Sequence, residues 1–144
     1  MGNVSERLLA HIRESEGLRL NAYQDAAGVW TIGYGHTHGV RRGDKINKAT
    51  AEAYLAADLS PIIERLGRVR QVRTQGQLDA LADFAFNLGL RKLTTSTLWK
   101  RVLAEAPVAD VQREFRKWVF ARGKRLEGLV KRREWEAAVY AKDV

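Results

Sequence analysis

Cysteine is absent from this 144-residue chain. That removes disulfides, thiol nucleophiles and cysteine-based zinc sites. No apolar run approaches the roughly 20 residues that span a bilayer. The start, MGNVSERLLAHIRESEG, has no apolar core followed by a cleavage site, so no export signal is expected there. No phosphate-cradling Gly-rich loop, HExxH motif or Ser-His-Asp set occurs, and Gly33-Tyr34-Gly35-His36 lacks the spacing of a dinucleotide fingerprint. Proline occurs only twice, and there is no repeat, low-complexity tract or linker. What remains is an ordinary globular composition, 45% hydrophobic and 29% charged, long enough for one domain, residues 1–144. A domain of that size buries roughly 68–70% of its unfolded surface.

Acidic charge is the scarcer sign. There are 17 acidic residues against 25 basic, a net of +8. Residues 1–90 hold 11 basic and 10 acidic groups, whereas residues 91–144 hold 14 and 7. A field of that sign concentrates anionic partners. Nucleic acid, anionic lipid and acidic wall polymers all qualify, and charge does not choose among them.

Periodicity predicts a mostly helical chain. Val4, Leu8 and Ile12, with Leu9, mark a first helix capped by Ser5 or Asn3. Asn47 caps a second, lined by Leu55, Leu59, Ile62, Ile63 and Leu66. Pro61 should kink it or divide it in two. Thr74 opens a third, TQGQLDALADFAFNLG, apolar most of the way round and hence central, with Gly89 ending it. Further helices are expected from about Thr95 or Ser96 through Ala104, after Pro107, and from Leu126 to about Lys142, the last following a break at 121–124. Between the first two helices, Leu20–Gln24 and Val29–Ile32 flank Ala26-Ala27-Gly28 and read as a hairpin. The fold class is α+β, mostly α.

The hairpin stretch carries the chemistry. Glu16 ends the first helix beside Gly17, and Asp25 sits in a polar turn. Burial raises a carboxyl pKa while a polar turn leaves it ionised. Glycoside hydrolysis needs that division, one acid to protonate the leaving oxygen and one carboxylate for water or the sugar cation. Thr31, on the returning strand, offers a hydroxyl to orient water. Against this stands the plain alternative of two solvated surface acids and a β-branched strand residue. His36 and His38 could hold zinc with Asp44, but a third fixed ligand is missing from the pattern. His36 reads better as pairing with an acid, and no metal or cofactor is expected. Tyr23, Trp30 and Tyr34 suit either core or a sugar-stacking groove, with core favoured for Trp30. The run Lys131-Arg132-Arg133 reads as a solvated helix face.

The sequence resembles the phage-type lysozymes, the endolysins of glycoside hydrolase family twenty-four. The resemblance lies in EGLRL from Glu16, Y-x-D at Tyr23–Asp25 and G-x-WTIGYGHT from Gly28 to Thr37. It continues in QLDAL-x-DFAFNLG from Gln77, STLWK from Ser96, and the run from Trp118 to Glu136. Glu16, Asp25 and Thr31 fit the family's spacing of Glu, eight residues, Asp, five residues, Thr. The resemblance implies a two-lobed domain with a small hairpin lobe at about 16–60 and a helical lobe at about 61–144 plus the first helix. It implies a muramidase cutting the β-1,4 bond between N-acetylmuramic acid and N-acetylglucosamine in peptidoglycan, for host lysis by a phage. Glu16 would be the acid, Asp25 the water-activating or charge-stabilising carboxylate, Thr31 the water holder, and the outcome inverting. Thr37, Phe86, Asn87 and Thr97 would contact substrate. Some members carry an N-terminal apolar export segment that this start does not match. Cytoplasmic accumulation and release through a separate pore are therefore expected, or a trimmed or tail-associated role. A monomer acting on glycan strands, with no nucleic acid and no stable membrane insertion, is the expected state. A lytic transglycosylase and a basic nucleic-acid- or membrane-binding module are the alternatives.

Overall fold

The computed structural model describes residues 3–143. The first helix, α1 (Glu6–Glu16), starts where Ser5 Oγ accepts from the Leu8 amide at 3.0 Å. It buries Leu8 and Ile12. It stops because Gly17, at φ +73°, turns the chain and closes its N–H onto the Arg13 carbonyl. Glu16 is thus the last helical residue, with the hairpin immediately beyond it.

Strands β1 (Arg19–Gln24) and β2 (Trp30–Gly33) pair antiparallel, with Tyr23 opposite Thr31 and Gln24 opposite Trp30. The turn between them is built by Asp25. Its Oδ1 accepts from the Ala27 and Val29 amides at 2.8 and 2.9 Å, and Gly28 takes φ +85°. Helix α2 (Lys48–Gly67) follows, capped by Asn47 as expected, and buries Ala51, Leu55, Leu59, Ile63 and Leu66. It runs unbroken past Pro61, so no junction occurs there. The reason is placement. Pro61 and Ala57 both lie on the exposed face, so the carbonyl that loses its partner is open to water.

Helix α3 (Gln75–Leu88) is the central element, opened by a full capping box between Thr74 and Gln77. It packs against α1, α2 and the last helix. Gly89 ends it, and a short helix not expected from sequence, α4 (Leu90–Thr94), follows at once. Ser96 then caps α5 (Thr97–Leu103), and α6 (Val108–Phe115) follows Pro107. The break at 121–124 is a second hairpin, β3 (Phe120–Ala121) and β4 (Lys124–Arg125), turned by Arg122 and Gly123 at positive φ. Helix α7 (Glu127–Tyr140) closes the chain.

The core joins all these helices. Phe84 of α3 meets Phe115 and Trp118 edge-on at 6.0 and 5.3 Å between ring centroids. Gly76 lets the start of α3 lie against the main chain at the end of α7, where a Cβ would strike the Val139 and Lys142 carbonyls.

Candidate active site

Glu16 is where helix, hairpin and last helix meet. Its side chain keeps about 23% of its surface. Arg132 of α7 donates from Nη1 to Glu16 Oε2 at 2.7 Å. The other oxygen faces the base of the hairpin, where a Cβ on Gly35 would lie 2.9 Å from Oε1. Gly35 has φ +80°, so both the backbone and the space there call for glycine. One oxygen is tethered and the other is presented.

Asp25 and Thr31 sit together at the far end of the hairpin. Both are tied to Val29, whose amide donates to Asp25 Oδ1 and whose carbonyl accepts from Thr31 Oγ1 at 2.9 Å. Strand alternation puts Tyr23, Asp25 and Thr31 on one face of the hairpin. Asp25 is exposed and Thr31 buried.

Behind Glu16 stands a buried charge cluster that the basic-run reading missed. Lys131 is exposed, but Arg132 and Arg133 are buried, so the expected solvated face is confined to Lys131. Arg132 forks onto Asp83 of α3, donating from Nε to Oδ2 at 3.0 Å and from Nη2 to Oδ1 at 2.9 Å. His11 of α1 donates to the same carboxylate at 3.2 Å while stacking on Trp135 at 3.6 Å. Burial alone would raise Asp83, but hydrogen bonds from His11, Glu136 and Arg132 hold it below the usual carboxylate range. Arg133 donates from Nη2 to Glu136 Oε2 at 2.9 Å and to Asn87 Oδ1 at 2.8 Å. Burial pushes Glu136 well above the usual range, and the Asp83 charge pushes it further. The legible signal was Asp79 and Asp83 inside a helix otherwise apolar all round, since a buried carboxylate needs a partner. Asp79 found Arg7 and Ser5.

The other sequence candidates are dispersed. Asn87 and Glu16 both line a groove of about 880 Å³ between α1 and α7, floored by His11, Leu129 and Trp135. Thr37 is exposed after β2, Phe86 is half-buried on α3 and Thr97 opens α5 at the surface; none of the three lines that groove. His36 pairs with Asp58 at 2.8 Å and stacks on Tyr54, the structural role expected of it, while His38 is an exposed loop residue. Of the aromatics, Tyr34 is core and Trp30 is half-buried outside it. Tyr23 lies under the Arg19 guanidinium at 4.1 Å. Across the molecule, Arg122 in the β3–β4 turn donates to the Ala26 carbonyl in the β1–β2 turn at 2.8 Å.

Comparison with known proteins gives this geometry a context. Residues 13–136 match the model of the phage lysozyme family. The chain is 43% identical over 143 residues to an endolysin of Acyrthosiphon pisum secondary endosymbiont phage 1, covering 96% of this chain and 97% of that protein. It is 34% identical to a SAR-endolysin of Escherichia phage Mu, covering 97% and 82%. The muramidase domain of SpmX from Asticaccaulis excentricus superimposes with a TM-score of 0.86 at 33% identity, covering 96% and 97%. The chain belongs to the phage lysozyme family and is a peptidoglycan-cleaving lysozyme.

Proposed function

We propose that Glu16, Asp25 and Thr31 carry the cleavage of the β-1,4 bond between N-acetylmuramic acid and N-acetylglucosamine. The observation that supports it best is the asymmetric hold on Glu16, with Oε2 on Arg132 and Oε1 against Gly35. The free oxygen, protonated, gives its proton to the glycosidic oxygen as the bond to the anomeric carbon breaks. Asp25 Oδ1 is committed to the turn amides, which leaves Oδ2 for the reaction. Thr31 spends its own hydrogen on the Val29 carbonyl, which leaves its oxygen to accept. Two acceptors, Asp25 and Thr31, can take both hydrogens of one water and aim its lone pair at the sugar. The ionised Asp25 also stabilises the positive charge that develops there. Attack by that water from the far side, with one of its protons passing to Asp25, inverts the anomeric centre and needs roughly 6.5–9.5 Å between the two carboxyls.

On this reading residues 16–60 form a small lobe facing a helical lobe, within one domain, and Thr37, Phe86, Asn87 and Thr97 contact the glycan. The enzyme works as a monomer, without nucleic acid, and reaches the wall through a separate membrane pore. Among the described residues no helix is long and apolar enough to cross a membrane.

Glu16→Gln tests the core of the proposal. Clearing of a peptidoglycan suspension should vanish while the circular dichroism spectrum and melting temperature persist; an active variant ends it. Asp25→Asn should be nearly as damaging, and Thr31→Ser milder because the hydroxyl stays. Mass analysis of the released muropeptides should show reducing ends, whereas anhydro-muramyl ends would make the enzyme a lytic transglycosylase. Binding that is salt-sensitive and survives loss of both carboxyls would instead favour a basic binding module.

A further inference from the structure

Glu16 is poorly held by its own element. It is the last residue of α1, and Gly17 turns the chain away immediately after it. A long side chain at a helix end keeps several rotamers unless something outside the helix fixes it. Among the described residues, the hydrogen bond to its carboxyl comes from Arg132 Nη1 at 2.7 Å. Arginine has a longer stem than glutamate, so this contact fixes Glu16 only if Arg132 is itself fixed. Asp83 does that. Arg132 donates from Nε to its Oδ2 at 3.0 Å and from Nη2 to its Oδ1 at 2.9 Å, and both residues are buried. A guanidinium is planar, so forking one edge onto a carboxylate also sets the direction of the remaining corner, Nη1. That corner is the one on Glu16. Asp83 is anchored in turn. Helix α3 packs against both α1 and α7. His11 of α1 reaches Asp83 Oδ2 at 3.2 Å and is itself stacked on Trp135 of α7 at 3.6 Å. A carboxylate buried in an apolar helix is costly, and the cleavage chemistry makes no direct use of this one.

We propose that Asp83 is a positioning residue for the acid: it holds Arg132, and Arg132 places the Glu16 carboxyl. This rests on Glu16 being the proton donor. Asp83 touches no substrate, because none of it reaches the surface. Its effect is geometric. The central helix, through Asp83 and Arg132, sets where the donor oxygen sits at the end of α1. A reacting group displaced by about 1 Å can lose on the order of 100-fold in rate. Asp83→Asn keeps the shape of the side chain but replaces one acceptor with an N–H donor. Turned one way, the amide faces Nη2 of Arg132; turned the other way, it faces Nε. Either way two donors meet, the fork opens, and Nη1 loses its fixed direction.

Single and double variants of the full chain test this, each assayed well below its melting temperature. Asp83→Asn should lower kcat on soluble peptidoglycan fragments by about tenfold or more, with KM within about twofold, because binding does not need the acid in register. Arg132→Lys keeps the charge but cannot fork and tether at once, so it should lose a comparable factor. In that background Asp83→Asn should cost less than about twofold more, since a residue acting through Arg132 has nothing left to act on. Losses that multiply overturn the proposal, and so does an unchanged kcat in Asp83→Asn. A second measurement needs neither activity nor a change at Asp83. Nitrogen-15 NMR of the wild type should show separate Nη signals for a rotationally restricted Arg132, and Glu16→Ala should keep them. Signals that average in Glu16→Ala would show that Glu16 holds Arg132 instead of the reverse, which overturns the proposal even where Asp83→Asn fails to fold. If Glu16→Gln stays active while Arg132 stays restricted, the donor assignment fails and the hold of Asp83 on Arg132 stands.

Discussion

Glycine 35 shows how a single missing side chain can set the position of a neighbouring carboxyl. A Cβ there would meet Glu16 Oε1 at 2.9 Å and would also be strained by the positive φ. Gly35→Ala should therefore push the presented oxygen away and lower activity at least tenfold, about 1.4 kcal/mol in the barrier. The melting temperature should fall only modestly; activity within twofold of wild type would show that Oε1 is not the donor. Glu136 makes a different prediction. Its folded pKa is raised above the ordinary value of about 4.3. The stability it lends is complete below that value and is lost as pH rises toward the folded pKa. Glu136→Gln cannot ionise, so its melting temperature relative to wild type should improve steadily as pH rises above about 4.3, as pH-dependent melts will show. The shared turn that holds Asp25 and Thr31 was legible from spacing and strand alternation. Arg132 and Arg133 were not, because a basic run on a helix looks the same whether it faces water or a buried carboxylate. Only the partner distinguishes them, and Asp83 lies 49 residues upstream of Arg132.

Among the elements, α3 was the most readable, since its cap, apolar girth and terminal glycine all agree. The misreadings came where local signals are ambiguous or short. Pro61 lies in a continuous helix because its lost hydrogen bond falls on the wet side. Five residues in α4 and two in each strand of the second hairpin are too few for a period to register. Gly76 was unremarked because its reason lies on another helix. Gly76→Ala should separate the start of α3 from the end of α7 and destabilise by about 3 kcal/mol or more, given two backbone carbonyls that cannot rotate away. Urea denaturation reads this directly. A midpoint close to wild type would mean that the two helix ends can slide apart at little cost.

For the molecule as a whole, the dominant feature is the charge gradient. The C-terminal 54 residues carry 14 basic groups against 7 acidic, while the hairpin and its neighbours are nearly balanced. Surface charges of that kind accelerate encounter with an anionic wall and are screened beyond about 10 Å at 0.1 M salt. The rate on whole cell wall should fall several-fold between about 0.02 and 0.3 M salt, whereas the rate on an uncharged chitin-type oligomer should change little. Equal loss on both substrates would place the salt effect on the protein itself. The one hydrogen bond from Arg122 to the Ala26 carbonyl matters at this scale too. A single solvent-exposed bond, worth on the order of 1 kcal/mol, breaks and reforms readily, so the two turns are latched to each other rather than locked.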